Sequence, residues 1–166
     1  AIAQKDRILA VISGSGVSND IDGTLVGPAS EGQIRAMYQA YLQAGWSPGQ
    51  IDYMECHGSG TPVGDQVELT SIYQLLKQFE CTDKNLRIGS VKSMIGHLLT
   101  AAGAAGFIKT VLSMNEKVLP PSLNFTGADE RSVLSTSRIE VQTEPEPWDP
   151  CRPDTGRKAG ISAFGF

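Results

Sequence analysis

"IDYMECHGSGTPVGDQVELTSIYQLLKQF", Ile51 to Phe79, decides the fold. Its first seven residues, ending at His57, form a short apolar run that reads as a buried strand. The next turn is built from Gly58, Ser59, Gly60 and Thr61. From Gly64 onward Val67, Ile72, Leu75, Leu76 and Phe79 recur at helical spacing. Strand, glycine-rich turn and amphipathic helix, in that order, make half of a parallel crossover unit.

The same alternation extends outward. "RILAVISGSG", Arg7 to Gly16, is an apolar run ending in glycines and reads as another buried strand. "SEGQIRAMYQAYLQAGW" places Ile34, Met37, Tyr38, Tyr41 and Leu42 on one helical face, with Ser30 as N-cap and Gly45 as stop. "NLRIGSV" is a third strand, and "GHLLTAAGAAGFIKTVLSMN" reads as one long helix opened by His97, its small residues suited to close packing. Two prolines in "VLPPSLNF" interrupt the pattern. "ADERSVLSTS" reads as loop with some helix, "RIEVQTEPEPWDP" as an edge strand running into a proline-rich surface loop, and "GRKAGISAF" as a last strand. Strands alternating with helices predict right-handed parallel crossovers, hence an α/β fold, and 166 residues suit one domain, 1–166.

The totals narrow the function classes. A hydrophobic content of 40% with 19% charged residues is ordinary globular composition. A formal charge of −4, with no basic cluster, argues against a nucleic-acid partner. No apolar run is long enough for a membrane span, and "AIAQKDR" has no signal-peptide core. Cys56, Cys81 and Cys151 form no CxxC pair, which suits reduced thiols in a cytoplasmic protein.

Chemistry concentrates in the turns. In an open α/β sheet, ligands gather beyond the carboxyl ends of strands. The only two histidines fall there: His57 ends the second strand, and His97 opens the helix after the third. Gly58 and Gly60 allow backbone conformations closed to other residues, while Ser59 and Thr61 supply hydroxyls. An imidazole at a helix N-terminus is held neutral and can donate one N–H to a carbonyl oxygen that gains negative charge, the role expected of His97. Lys92, at the end of its strand, is positioned to hold a hydrogen-bond network or depress a neighbour's basicity. Cys56 and His57 make no metal pair, since strand neighbours point to opposite faces and no third ligand has suitable spacing, so no metal is expected. There is no GxxxxGK[ST] phosphate loop either.

"ECHGSGTPVGDQVE", "GSVKSMIGHLLTAAGAAG" and "GISAFGF" together resemble the C-terminal half of a β-ketoacyl synthase of the thiolase-like superfamily, over nearly the whole chain. The resemblance implies a thiolase-like half with a mixed sheet and strand–helix crossovers. It implies a transferase that joins an acyl group, held as a cysteine thioester, to a malonyl-type thioester with loss of carbon dioxide. His57 and His97 would bind the malonyl thioester carbonyl and stabilise the enolate, and Lys92 would organise the site. Ser59 and Thr61 would hydrogen-bond the phosphopantetheine arm, and Phe164 and Phe166 would lie in the gating loop. No cofactor is expected on this chain, since its substrates would arrive on the phosphopantetheine of acyl carrier protein. The other implied partners are the N-terminal half carrying the nucleophilic cysteine and a second copy of the whole unit in a homodimer.

Departures sharpen the expectation. Gly106 stands where stand-alone bacterial synthases of this family often carry glutamate, a pattern closer to multidomain polyketide or fatty-acid synthases. Ser59 replaces a usual threonine and Cys56 a common alanine. None of the three cysteines has the strand-to-helix setting of the family nucleophile. The chain is therefore expected to be a piece of a larger enzyme, truncated in the final glycine-rich motif and not competent alone. The alternative is a non-catalytic thiolase-like scaffold that pairs with a partner half or dimerises.

Overall fold

Strand β1, Tyr53–Glu55, is the centre of the molecule. A computed structural model describes residues 1–19, 29–150 and 155–164. β1 pairs in parallel with β2 (Leu86–Gly89) on one side and with β6 (Ala159–Ile161) on the other, and β4 (Ile139–Val141) adds to the free edge of β2. The order is β4-β2-β1-β6. All described pairs of this sheet are parallel; antiparallel pairing is confined to a separate ladder between β3 (Val118–Leu119) and β5 (Glu146–Pro147).

Parallel neighbours need a crossover, and helices supply it. α1 (Ser30–Ala44) and α2 (Pro62–Gln78) pack together on one face of the sheet. Ile72, Leu75 and Leu76 of α2 meet Met54, Ile88 and Ile139 there. Each of the three helical residues is at most 3% exposed, and burial of each contributes about 1.5–3 kcal/mol. α4 (Ala102–Glu116) lies against β1, β3 and β6. Tyr53, Leu119 and Trp148 form a second apolar cluster, with Met114 of α4 and Ala159 packed against it. Alternation along β1 divides the faces: Met54 and Cys56 belong to the first cluster, Tyr53 to the second.

Several expectations hold. α1 stops at Gly45, in the left-handed conformation that glycine adopts without strain. α5 (Val133–Thr136) supplies the helix within the ambiguous loop, capped by Ser132. Other expectations need correction. Ser30 is the first helical residue of α1, and Ala29 is the N-cap. Leu42 turns outward, and Tyr38 lies at the exposed rim of the interface, its ring 5.6 Å from that of Phe79 at the end of α2. Trp148 is 1% exposed, donates from Nε1 to Asp52 and sits edge-on to the Tyr53 ring, so the proline-rich segment is anchored in the core.

The largest correction concerns Arg7 to Gly16, which belongs to no strand among the described residues. A buried strand needs ladder partners on its edges; this segment has side-chain bonds instead, from Asn115 to the Leu9 carbonyl and from the Ser15 amide to Gln43. Ile8, Leu9, Val11 and Ile12 are exposed. Its glycines serve close approach: a Cβ on Gly14 or Gly16 would lie 2.1 or 1.9 Å from the carbonyl oxygen of Ala40 or Ala36. No helix among the described residues is long and apolar enough to cross a membrane.

Candidate active site

Because β1 and β2 are parallel neighbours, the turns that follow them meet at one edge of the sheet. His57 lies two residues beyond β1 and Lys92 three beyond β2. The second turn is not the uninterrupted helix predicted above. Lys92–Ile95 form a single helical turn, α3, which Gly96 ends with φ 78°. Leu98 and Leu99 both adopt left-handed backbone, a 3-10 turn follows over Leu99–Ala101, and α4 begins only at Ala102. His97 therefore sits in the break between two helices, not at the N-terminus of the long one, so the dipole argument for its neutrality does not apply.

The two imidazoles nevertheless converge. Their ring centroids are 5.3 Å apart at 74°. The Phe164 ring lies 4.8 Å from His57, and the Phe164 amide donates to His57 Nδ1 at 3.0 Å. Occupation of the Nδ1 lone pair by a donor places the proton of neutral His57 on Nε2. Burial, reinforced by the Lys92 and His97 charges, lowers His57 from 6.5 to about 4. The ring is a neutral N–H donor at physiological pH.

Lys92 donates from Nζ to the His57 carbonyl oxygen, which also accepts from Ser90 Oγ. Burial lowers the ammonium's affinity for its proton, opposed by Glu68 and Glu55. Gly58 and Gly60 have φ of 50° and 75°, as the turn requires. Thr61 is the N-cap of α2, accepting from the Gly64 amide, and Ser59 Oγ lies 2.9 Å from the Thr61 hydroxyl. A cavity of about 470 Å³ opens beside this edge, lined among others by Ser59, Lys92, His97, Ile88 and Phe125. Phe166 lies outside the described residues, as does Cys151.

Three ionisable side chains that the sequence reading passed over build this edge. Glu68 of α2 is 3% exposed, and its carboxylate accepts from the amides of His57 (2.7 Å) and Gly58 (2.8 Å). Burial raises it from 4.5 to about 7, against the downward pull of those two amides. Its position four residues before Ile72 and seven before Leu75 marks it as a core-facing residue, the signal that could have found it. Glu55 and Lys109 form an ion pair at 2.8 Å, with side chains 2% and 9% exposed. An acid inside an apolar strand run was the corresponding signal for Glu55. Cys56 is buried, and burial followed by the nearby Glu68 and Glu55 charges pushes its thiol well above the ordinary value.

Comparison with known proteins gives this geometry a context. The family described as "Beta-ketoacyl synthase, C-terminal domain" matches residues 9–126. The chain is 40% identical over 164 residues to a phenolphthiocerol/phthiocerol polyketide synthase of Mycobacterium tuberculosis, across 97% of this chain and 8% of that protein. It is 39% identical to a highly reducing polyketide synthase of Aspergillus terreus, across 100% of this chain and 6% of that protein. Among solved structures, the oxazolomycin ketosynthase domain of Streptomyces albus JA3453 superposes with a TM-score of 0.91 at 34% identity, covering 99% of this chain and 29% of that one. The ketosynthase from module 6 of the bacillaene synthase of Bacillus subtilis 168 gives 0.89 at 38% identity, covering 99% and 29%. The chain thus spans under a tenth of those polyketide synthases and under a third of those ketosynthase chains.

Proposed function

Because the chain belongs to the β-ketoacyl synthase C-terminal domain family, we propose that it supplies the decarboxylating side of a ketosynthase site. The substrate is a malonyl-type thioester carried on the phosphopantetheine of acyl carrier protein. The observation that carries this reading is the convergence of His57 and His97, 5.3 Å apart, with Lys92 on the His57 carbonyl.

The chemistry follows from what each group offers. Loss of carbon dioxide breaks the bond between the α-carbon and the carboxylate, and the electron pair moves through the α-carbon onto the thioester oxygen. His57, neutral with its proton on Nε2, donates to that oxygen, and His97 donates a second N–H as charge builds. Lys92 fixes the His57 backbone, and its positive charge adds to burial in keeping the His57 ring neutral. The enolate carbon then attacks the acyl thioester on a cysteine of the N-terminal half. A carbon–carbon bond forms and the cysteine thiolate leaves. Burial of Cys56 and its raised thiol support placing that nucleophile in a partner half. Ser59 and Thr61 bind the arm through their hydroxyls, and Phe164 and Phe166 gate the entrance. The exposed Val11, Ile12, Ile108 and Leu112 suit surfaces covered by the other half, in a unit that dimerises in the cytoplasm.

The test is carbon dioxide release from malonyl-carrier protein by the reassembled ketosynthase, with and without His97→Ala. Loss of one oxyanion donor lowers the rate by roughly 100- to 1,000-fold. Unchanged decarboxylation and condensation would instead favour the non-catalytic scaffold, which has no use for a converging pair of imidazoles.

A further inference from the structure

The Glu55 side chain links β1, the turn that follows β2, and α4. It lies on β1, two residues before His57. Its Oε1 accepts from the amide of Val91 at 2.5 Å, immediately before Lys92. Its Oε2 accepts from Lys109 at 2.8 Å, on the helix that follows His97, and from the Tyr53 hydroxyl at 2.8 Å. Lys109 also donates to the Tyr53 oxygen at 3.0 Å, so the three side chains close a triangle. The carboxylate reaches this place because position 106 has no side chain: a Cβ there would sit 3.1 Å from Glu55 Cγ.

Stability is a poor reason for such an arrangement. A buried ion pair loses so much hydration that well-packed apolar residues of similar volume often replace it without loss. What apolar residues cannot supply is an acceptor at a fixed point for the Val91 amide. We propose that Glu55 is a positioning residue of the ketosynthase site, with Lys109 as its counter-charge: it sets the distance between the turn that carries His57 and the turn that carries Lys92 and His97. The proposal rests on the function proposed above. It concerns geometry alone, and Glu55 touches no substrate.

The experiment compares two double variants that both remove the buried charges, in the reassembled ketosynthase acting on malonyl-carrier protein. Glu55→Gln/Lys109→Met keeps an acceptor for Val91; Glu55→Leu/Lys109→Met does not. A displacement of about 1 Å at a reacting centre is enough for a loss of roughly 100-fold. The expected result is a fall of that order in kcat with KM unchanged for the leucine variant, and recovery to within roughly tenfold of the parent for the glutamine variant. Equal loss in both, or loss in neither, overturns the proposal.

A third variant tests the same bond should the leucine variant fail to fold. Replacing the Val91 amide by an ester deletes the N–H alone and is expected to reproduce the kcat loss; full activity overturns the proposal. The two histidine rings give a readout independent of turnover. In the ester variant the His57 titration midpoint moves up from about 4, because a displaced turn opens the buried ring to water and carries the Lys92 charge away from it. An unmoved midpoint overturns positioning even in a protein that releases no carbon dioxide. A parent protein without that activity, but with a midpoint that moves in the ester variant, overturns only the catalytic reading.

Discussion

Replacing Glu68 by glutamine gives a pH-dependent signature whose size follows from the structure. The carboxyl is 3% exposed, and burial raises it from 4.5 to about 7, winning over the two backbone amides and Lys92 that favour ionisation. Between those values the unfolded chain has released the proton while the folded chain still holds it. The folded state therefore binds more protons, and its stability falls as pH rises through that window. The interval, about 2.5 pH units at ~1.4 kcal/mol each, amounts to roughly 3 kcal/mol. Glutamine has no proton to lose, so Glu68→Gln removes this slope. His57 titrates with the opposite sign in both proteins and cancels in the difference. Urea unfolding of parent and variant from pH 4 to 8 should show the parent losing about 3 kcal/mol relative to the variant, a midpoint separation changing by roughly 1–3 M. Parallel curves across that range would mean that the carboxyl titrates elsewhere and that burial does not outweigh the amide bonds.

Other outcomes follow from single contacts. The His57 ring should titrate near pH 4 by NMR; a midpoint near 6.5 would remove the case for a neutral donor. Its depressed value contributes stability that is present above pH 6.5 and is lost as pH falls toward 4. Trp148→Ala removes a fully buried indole and the donor to Asp52, at a cost of about 3–5 kcal/mol. At 2–4 °C per kcal/mol, calorimetry should record a Tm lower by roughly 6–20 °C, and a drop under about 3 °C would contradict the packing described. Thr61→Ala deletes the α2 cap, expected to lower stability by ~1 kcal/mol in thermal melts, while Thr61→Ser restores it.

Periodicity made α1, α2 and the strand–turn–helix around His57 legible, because apolar spacing and packing agree there. It failed at residues 7–16, where apolar content implies burial but only a neighbouring edge makes a strand. It failed again after His97. Apolar spacing there continues through Leu98 and Leu99, and nothing in their side chains announces left-handed backbone. Of the site, His57, His97, Lys92 and Ser59 were readable from residue type and position in turns. Glu55 and Glu68 were marked only by their place in an apolar run and on the core-facing side of α2, signals weaker than the expectation that acids are solvated. Nothing in the sequence marked Lys109 as buried. Trp148 was hidden by the prolines around it.

The Phe164 amide on His57 Nδ1 also orders events in time. Glu68 lies 11 positions beyond His57 and Lys92 lies 35, so both grips on the His57 backbone become available early in translation. Phe164 lies 107 positions beyond it, which at typical elongation speeds arrives roughly 5–20 s later. Of the three residues that hold His57, the one that donates to its ring nitrogen is thus synthesised last.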